Sequence, residues 1–215
     1  MGYLSLKKFN NMIGIKFGVA LSGIILFLFL IVHVIGNLQV FLGKETFNAY
    51  ARTLHSYPML VFAARVFIGF IFLMHIFLVL VYYLRLPRGA RYNTYRYKVA
   101  SVETAAFSKI TFYTGVFVFV FVIAHILHFP MHSQDDLYLL VVQSFKNEFI
   151  SGLYCIGIWF LYLHLAHALR SLPQTLGVAH FDDRGILKKI GSSLAILICC
   201  FFILIPISIL SGLIK

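Results

Sequence analysis

Histidine is the residue type whose number and position in this chain suggest chemistry. The chain has nine His among 61% hydrophobic residues, and His33, His75, His125 and His164 lie within long apolar runs. Ionisable residues inside membrane spans are costly and are therefore functional candidates. A neutral imidazole can ligate a metal or haem iron, accept a proton, or hydrogen-bond to a neighbouring helix. Which of these applies depends on how the surrounding helices place the four rings.

The elements that carry these histidines are predicted to be transmembrane helices. Only 12% of the 215 residues are charged and the mean hydropathy is +0.92, whereas a soluble domain has roughly 25% charged residues. About 20 apolar residues cross a bilayer core as a helix. Five segments meet that length: 13–41, 59–84, 110–130, 149–169 and 190–213. The predicted fold is an all-α membrane protein in which residues 1–215 form one integral membrane domain.

The basic residues predict the orientation of the five spans. Thirteen of the 18 Lys and Arg lie in the N-terminal tail and in the joints at 85–109 and 170–189. By the positive-inside rule these segments are cytoplasmic, so the N-terminus is inside and the C-terminus outside. The basic surplus is then mainly a topology signal, and we expect no nucleic-acid partner.

The four buried histidines are predicted to lie in two pairs at two depths. At about 1.5 Å per residue, His33 and His125 lie roughly 24 Å from the cytoplasmic boundary, and His75 and His164 about 10–15 Å from it. We name His33 and His125 the outer pair, and His75 and His164 the inner pair. Each pair takes one residue from each of two helices that run in the same direction.

Two facing imidazoles at one depth are what bis-histidine haem b requires. The chain has no CxxC or CxxCH motif, so a cysteine-based zinc site and covalent haem c lack their ligands. A single membrane histidine more often makes a helix-to-helix hydrogen bond, but two matched pairs favour haem. Small residues at the right depths could admit a flat macrocycle, although they also serve helix packing: Gly18, Ser22, Gly23, Gly115, Gly152 and Gly157.

Further polar residues are weaker candidates. His128, His132 and His167 follow the predicted ligands by one or two turns and suit an interfacial or propionate contact better than ligation. Five residues could donate a hydrogen bond to a quinone from positions near a boundary, although a cap or interface role suits each of them as well: Asn37, Gln39, His55, Ser171 and Gln174.

The chain resembles the cytochrome b558-type di-haem membrane anchor of succinate:quinone oxidoreductases (succinate dehydrogenase and quinol:fumarate reductase). The resemblance covers essentially the whole chain. It depends on five helices with a His in each of the first four, on the string His33-Val34-Ile35-Gly36-Asn37-Leu38-Gln39, and on the stretch from His164 through His167 and Arg170 to Gly177.

The resemblance implies a four-helix core that binds two stacked haem b groups. His33 and His125 would ligate the outer, distal iron, and His75 and His164 the inner, proximal iron. It also implies a bacterial inner-membrane location and an enzyme complex in which a FAD flavoprotein performs the dicarboxylate chemistry. An iron–sulfur subunit would dock on the basic cytoplasmic joints, and this chain, with no catalytic residue of its own, would pass electrons to or from a membrane quinone, which we expect to be menaquinone.

Two other interpretations of the sequence stay open. One is a haem b anchor for a different membrane dehydrogenase, which the five-helix pattern fits less well. The other is a transporter or channel whose histidines line a path, which would leave the paired depths unexplained and would be expected to show a broken span.

Overall fold

A computed structural model describes residues 2–85, 102–129, 136–178 and 185–214. The described chain is helical, with no strand in these ranges. Its seven α-helices, which we number in chain order, are α1 (Gly2–Leu38), α2 (Lys44–His55), α3 (Pro58–Arg85), α4 (Val102–His128), α5 (Leu137–Lys146), α6 (Glu148–Thr175) and α7 (Ile186–Leu210). A 3-10 helix, Gln39–Leu42, extends α1.

The prediction of an all-α protein with five spans is confirmed. Five helical segments are long and apolar enough to cross a membrane: Met12–Leu42, Pro58–Arg85, Ile110–His128, Glu148–Thr175 and Ile186–Leu210. Because a bilayer offers no partner for backbone polar groups, helices that satisfy their own hydrogen bonds are the expected form. Many large apolar side chains are exposed on these helices, as lipid-facing residues are. The chain is a multi-pass membrane protein.

Two joints that the sequence presents as polar contain short helices, α2 and α5. Each is amphipathic: Phe47 and Ala51 are buried on α2, and Val142 and Phe145 on α5. One apolar cluster contains Phe47, Val142 and Phe145 together with Val40, Val141, Ile205, Ile209 and Ile214. The cluster closes one end of the bundle, which we call the α2–α5 end.

A polar clasp joins these two helices. Asp136 accepts hydrogen bonds from Asn48 Nδ2 at 2.9 Å and from the Leu139 backbone N–H at 3.0 Å, and its carboxylate lies 2.5 Å from Lys44 Nζ. Asn48 in turn accepts from the Tyr138 backbone N–H at 3.0 Å. The Lys44 ammonium, with the Asn48 and Leu139 donors, lowers the pKa of the Asp136 carboxyl to about 2.

The spans pack as two helix pairs, α1 with α3 and α4 with α6, while α7 packs against α6 and α1. The α6–α7 contact is close because small residues recur at every fourth position of α7, at Gly191, Ala195 and Cys199. A Cβ at position 191 would lie 2.8 Å from the Leu169 carbonyl oxygen, so this approach requires glycine. The two helix pairs hold all four candidate histidines.

Candidate cofactor-binding site

The structure brings the four candidate histidines together as two pairs. In the outer pair, the ring centroids of His33 on α1 and His125 on α4 are 5.9 Å apart, with the ring planes at 83°. In the inner pair, His75 on α3 and His164 on α6 are 6.5 Å apart, with the planes at 81°. Each pair therefore links the α1–α3 helix pair to the α4–α6 helix pair.

Glycines on the neighbouring helices place the inner pair. A Cβ on Gly23 of α1 would lie 3.4 Å from Cε1 of His75, and a Cβ on Gly115 of α4 would lie 3.2 Å from Cε1 of His164. Gly23 is ten residues before His33, and Gly115 is ten residues before His125. At about 1.5 Å per residue, the inner and outer pairs are therefore separated by about 15 Å along the bundle.

The other small residues predicted near the site do not line it. A Cβ on Gly18 would meet Leu78, Gly152 has open space around it, and the Phe121 ring lies directly against Gly157. Of the six small residues, Ser22, Gly23 and Gly115 are the ones that contact a candidate ligand.

Hydrogen bonds fix the tautomers of the inner pair. His164 Nδ1 lies 3.3 Å from the Thr111 carbonyl oxygen, which can only accept, so Nδ1 carries the proton. The fully buried Ser22 hydroxyl lies 2.8 Å from Gly18 O and 3.1 Å from Val19 O, both of which can only accept its proton. With that proton on a backbone carbonyl, the Ser22 oxygen accepts from His75 Nδ1 at 2.9 Å. Both imidazoles then hold their proton on Nδ1, and both Nε2 atoms keep a lone pair.

The outer pair is held differently. His125 Nδ1 lies 3.3 Å from the hydroxyl of Tyr154, and His128 Nδ1 lies 2.9 Å from the same oxygen. On the other side, Asn37 Nδ2 donates to the His33 carbonyl oxygen at 2.7 Å and lies 3.4 Å from His33 Nδ1. Since an amide NH₂ only donates, His33 Nδ1 is the acceptor in this 3.4 Å contact, which places the proton of a neutral His33 on Nε2, unlike in the inner pair.

The spacing of both pairs fits one metal ion between two imidazoles. If one nitrogen of each imidazole lay about 2 Å from a metal ion between the two rings, the ring centres would be about 6 Å apart. The separations of 5.9 and 6.5 Å bracket this value. No group of three or more His, Cys, Asp or Glu gathers within the described ranges. A group that takes two protein ligands would suit these pairs better than a tetrahedral zinc site, which needs three or four.

The other candidates from the sequence bond to their own helices, are exposed, or lie outside the described residues. Asn37 and Ser171 donate hydrogen bonds to backbone carbonyls of their own helices. His55 is exposed at the end of α2. His132 and His180 lie outside the described residues, as do positions 86–101 of the basic joint.

Sequence reasoning missed two partners of the candidate ligands. Tyr154 was not singled out, and its only signal is a position ten residues before His164 on a span that carries several aromatic residues. The Thr111 carbonyl belongs to the backbone, so no residue type announces it. Ser22 was selected for its size, whereas the structure uses its hydroxyl.

Comparisons of this chain with protein-family models, with curated proteins and with solved structures find no match.

Proposed function

We propose that this chain is the di-haem cytochrome b membrane anchor of a succinate:quinone oxidoreductase. It would carry electrons between an iron–sulfur subunit and a membrane quinone, for which menaquinone is the expected species. The observation that carries the proposal is the arrangement of four histidines as two facing pairs, 5.9 and 6.5 Å between ring centroids, on four membrane-spanning helices.

The inner pair is the stronger part of this argument. A direct hydrogen bond between the two imidazoles would require one of them to donate an N–H to the other. Ser22 and Thr111 instead accept the Nδ1 proton of His75 and His164 respectively, so neither Nε2 has a proton to share. His75 and His164 would offer their Nε2 lone pairs to a Lewis acid, and haem iron would supply one.

The chain's residues would hold and insulate the two groups. Haem b bound at each pair would supply a one-electron carrier, and the two carriers would lie at the depths set by Gly23 and His33 on α1. Phe29 stacks on His33 at 5.3 Å between centroids and Phe202 of α7 lies 5.7 Å from it, so two aromatic rings would pack beside the outer group. Ser22 and Thr111 would raise the basicity of the inner imidazoles by accepting their Nδ1 protons.

The soluble partners are inferred from charge and from the resemblance. A flavoprotein with FAD would interconvert succinate and fumarate, and an iron–sulfur subunit would dock on the cytoplasmic joints. The joint at 85–109 carries six basic residues. Reversing Arg88, Arg91 and Arg96 to Glu should release the soluble subunits while both haems stay bound. If the complex stays intact, these charges serve orientation or anionic lipid instead.

An anchor for another dehydrogenase would share the haem sites and differ in its partners. The experiment is therefore to purify the chain with its native partners, identify the subunits and cofactors, and assay electron transfer from succinate to quinone. A flavin-bearing partner and succinate-dependent haem reduction are expected. A hydrogenase or formate dehydrogenase partner would reassign the complex, and a colourless chain would favour the transporter or channel interpretation.

A further inference from the structure

Tyr154 of α6 lies between two histidines of α4 that are one turn apart. Its hydroxyl oxygen is 3.3 Å from His125 Nδ1 and 2.9 Å from His128 Nδ1. Its ring is fixed by edge contacts with Phe121, Phe129 and Phe145 at 4.9–5.9 Å between centroids. One hydroxyl with one proton thus serves two imidazoles that have the same chemistry.

The proton count makes the two imidazoles unequal. A histidine that ligates through Nε2 must hold its proton on Nδ1 and needs an acceptor there. A phenol can accept from one imidazole and donate to the other. If Tyr154 accepts from His125, its proton goes to His128 Nδ1, and neutral His128 must then hold its own proton on Nε2. The shorter distance to His128 agrees with the O–H···N bond that this order requires.

We propose that Tyr154 is a positioning residue that selects His125 over His128 as the outer ligand, by setting opposite tautomers on the two rings. His125 presents an Nε2 lone pair, whereas His128 presents an Nε2–H that cannot ligate. His128 is the proton acceptor that completes this arrangement. The inference rests on the proposed function, because it takes His125 as a haem ligand.

The test uses Tyr154→Phe in the purified native complex, with Tyr162→Phe on the same helix as the control. Phenylalanine keeps the aromatic packing and removes only the hydroxyl. Loss of a ligand's hydrogen-bond partner typically lowers affinity about 10- to 100-fold. We expect a loss of this size at the outer haem alone, measured as the rate of haem transfer to a scavenging globin, with an altered electron paramagnetic resonance signal for that haem.

A second pair of variants separates tautomer selection from packing. In His128→Leu the Tyr154 proton loses its acceptor and can turn to His125, so the outer haem should again be held more weakly. In His128→Gln the amide oxygen can accept that proton, so native retention and the native signal should return. Because Leu and Gln are similar in size, a packing role predicts no difference in signal between these two variants.

The outcomes distinguish this inference from the proposed function. A native complex without haem would refute the proposed function itself. Two haems in the native complex, with Tyr154→Phe unchanged in transfer rate and signal, would overturn the tautomer selection alone. Equal loss of both haems in Tyr154→Phe would also overturn it, because the hydroxyl would then act on the whole bundle.

Discussion

Replacing Gly115 with Ala should weaken the inner site while leaving the helix that carries it at least as stable. The new Cβ would lie 3.2 Å from Cε1 of His164, closer than ordinary contact, so the ring must move by a few tenths of an ångström. That ring is also held by its bond to the Thr111 carbonyl at 3.3 Å, which limits where it can go.

The substitution has opposite effects on the free energy of the helix and on the packing of the histidine site. Ala is favoured over Gly inside a helix by roughly 0.5–1 kcal/mol. Overpacking a well-packed site costs about 1–3 kcal/mol, and every 1.4 kcal/mol is about tenfold in affinity. We therefore expect Gly115→Ala to lower the affinity of the inner site for haem by about 5- to 150-fold.

Two other glycines give a graded control. At Gly23 the new Cβ would be 3.4 Å from His75, which is ordinary contact, and at Gly69 of α3 nothing lies within 4 Å. The assay is the amount of haem b retained by each purified variant as it is washed with a haem scavenger. Inner-haem loss should rank Gly115→Ala above Gly23→Ala, with Gly69→Ala equal to the native chain. Equal retention in all three variants would refute the packing of the inner pair described above.

Two further predictions concern single polar contacts. Ser22→Ala removes the acceptor at His75 Nδ1 and should lower haem affinity at the inner site about 10- to 100-fold. The control Ser192→Ala loses a similar bond within its own helix and should leave that affinity unchanged. Equal effects of the two variants would contradict the tautomer assigned to His75. Asp136→Asn should broaden the distribution of distances between spin labels on α2 and α5 at pH 7, because position 136 then has no charge to attract Lys44. In the native chain, the pKa of Asp136 is lowered from 3.8 to about 2. Its carboxylate should therefore stabilise the α2–α5 contact fully above about pH 4 and lose this effect only as the pH falls through 2. Broadening of the native distribution already at pH 5–6 would contradict this.

The hydropathy pattern was sufficient to predict the five spans, because a bilayer requires about 20 apolar residues in each of them. Counting helical rise from the basic boundaries was sufficient to predict that His33 would meet His125 and that His75 would meet His164. It could not predict the helices α2 and α5, because their polar faces dominate short windows and their apolar faces acquire a role only when they pack together at the end of the bundle.

The hydrogen-bond partners of the histidine rings could not be predicted from the sequence either. The Nδ1 partner of His164 is a backbone carbonyl, so it depends on the rotation of α4 against α6 and not on a residue type. Tyr154 meets His125 and His128 only because those two helices pack closely. Periodicity gives the depth of a side chain, whereas its rotation about the helix axis is set by packing between helices.

The most direct test of the account is the number of haem b groups per chain, measured as the pyridine haemochrome. The native protein should hold two, and replacing any one of His33, His75, His125 or His164 with Ala should leave one. Loss of either member of a pair should remove the same spectral component. A native chain without haem, or any of these variants that keeps both groups, would contradict the assignment of the four histidines as axial ligands.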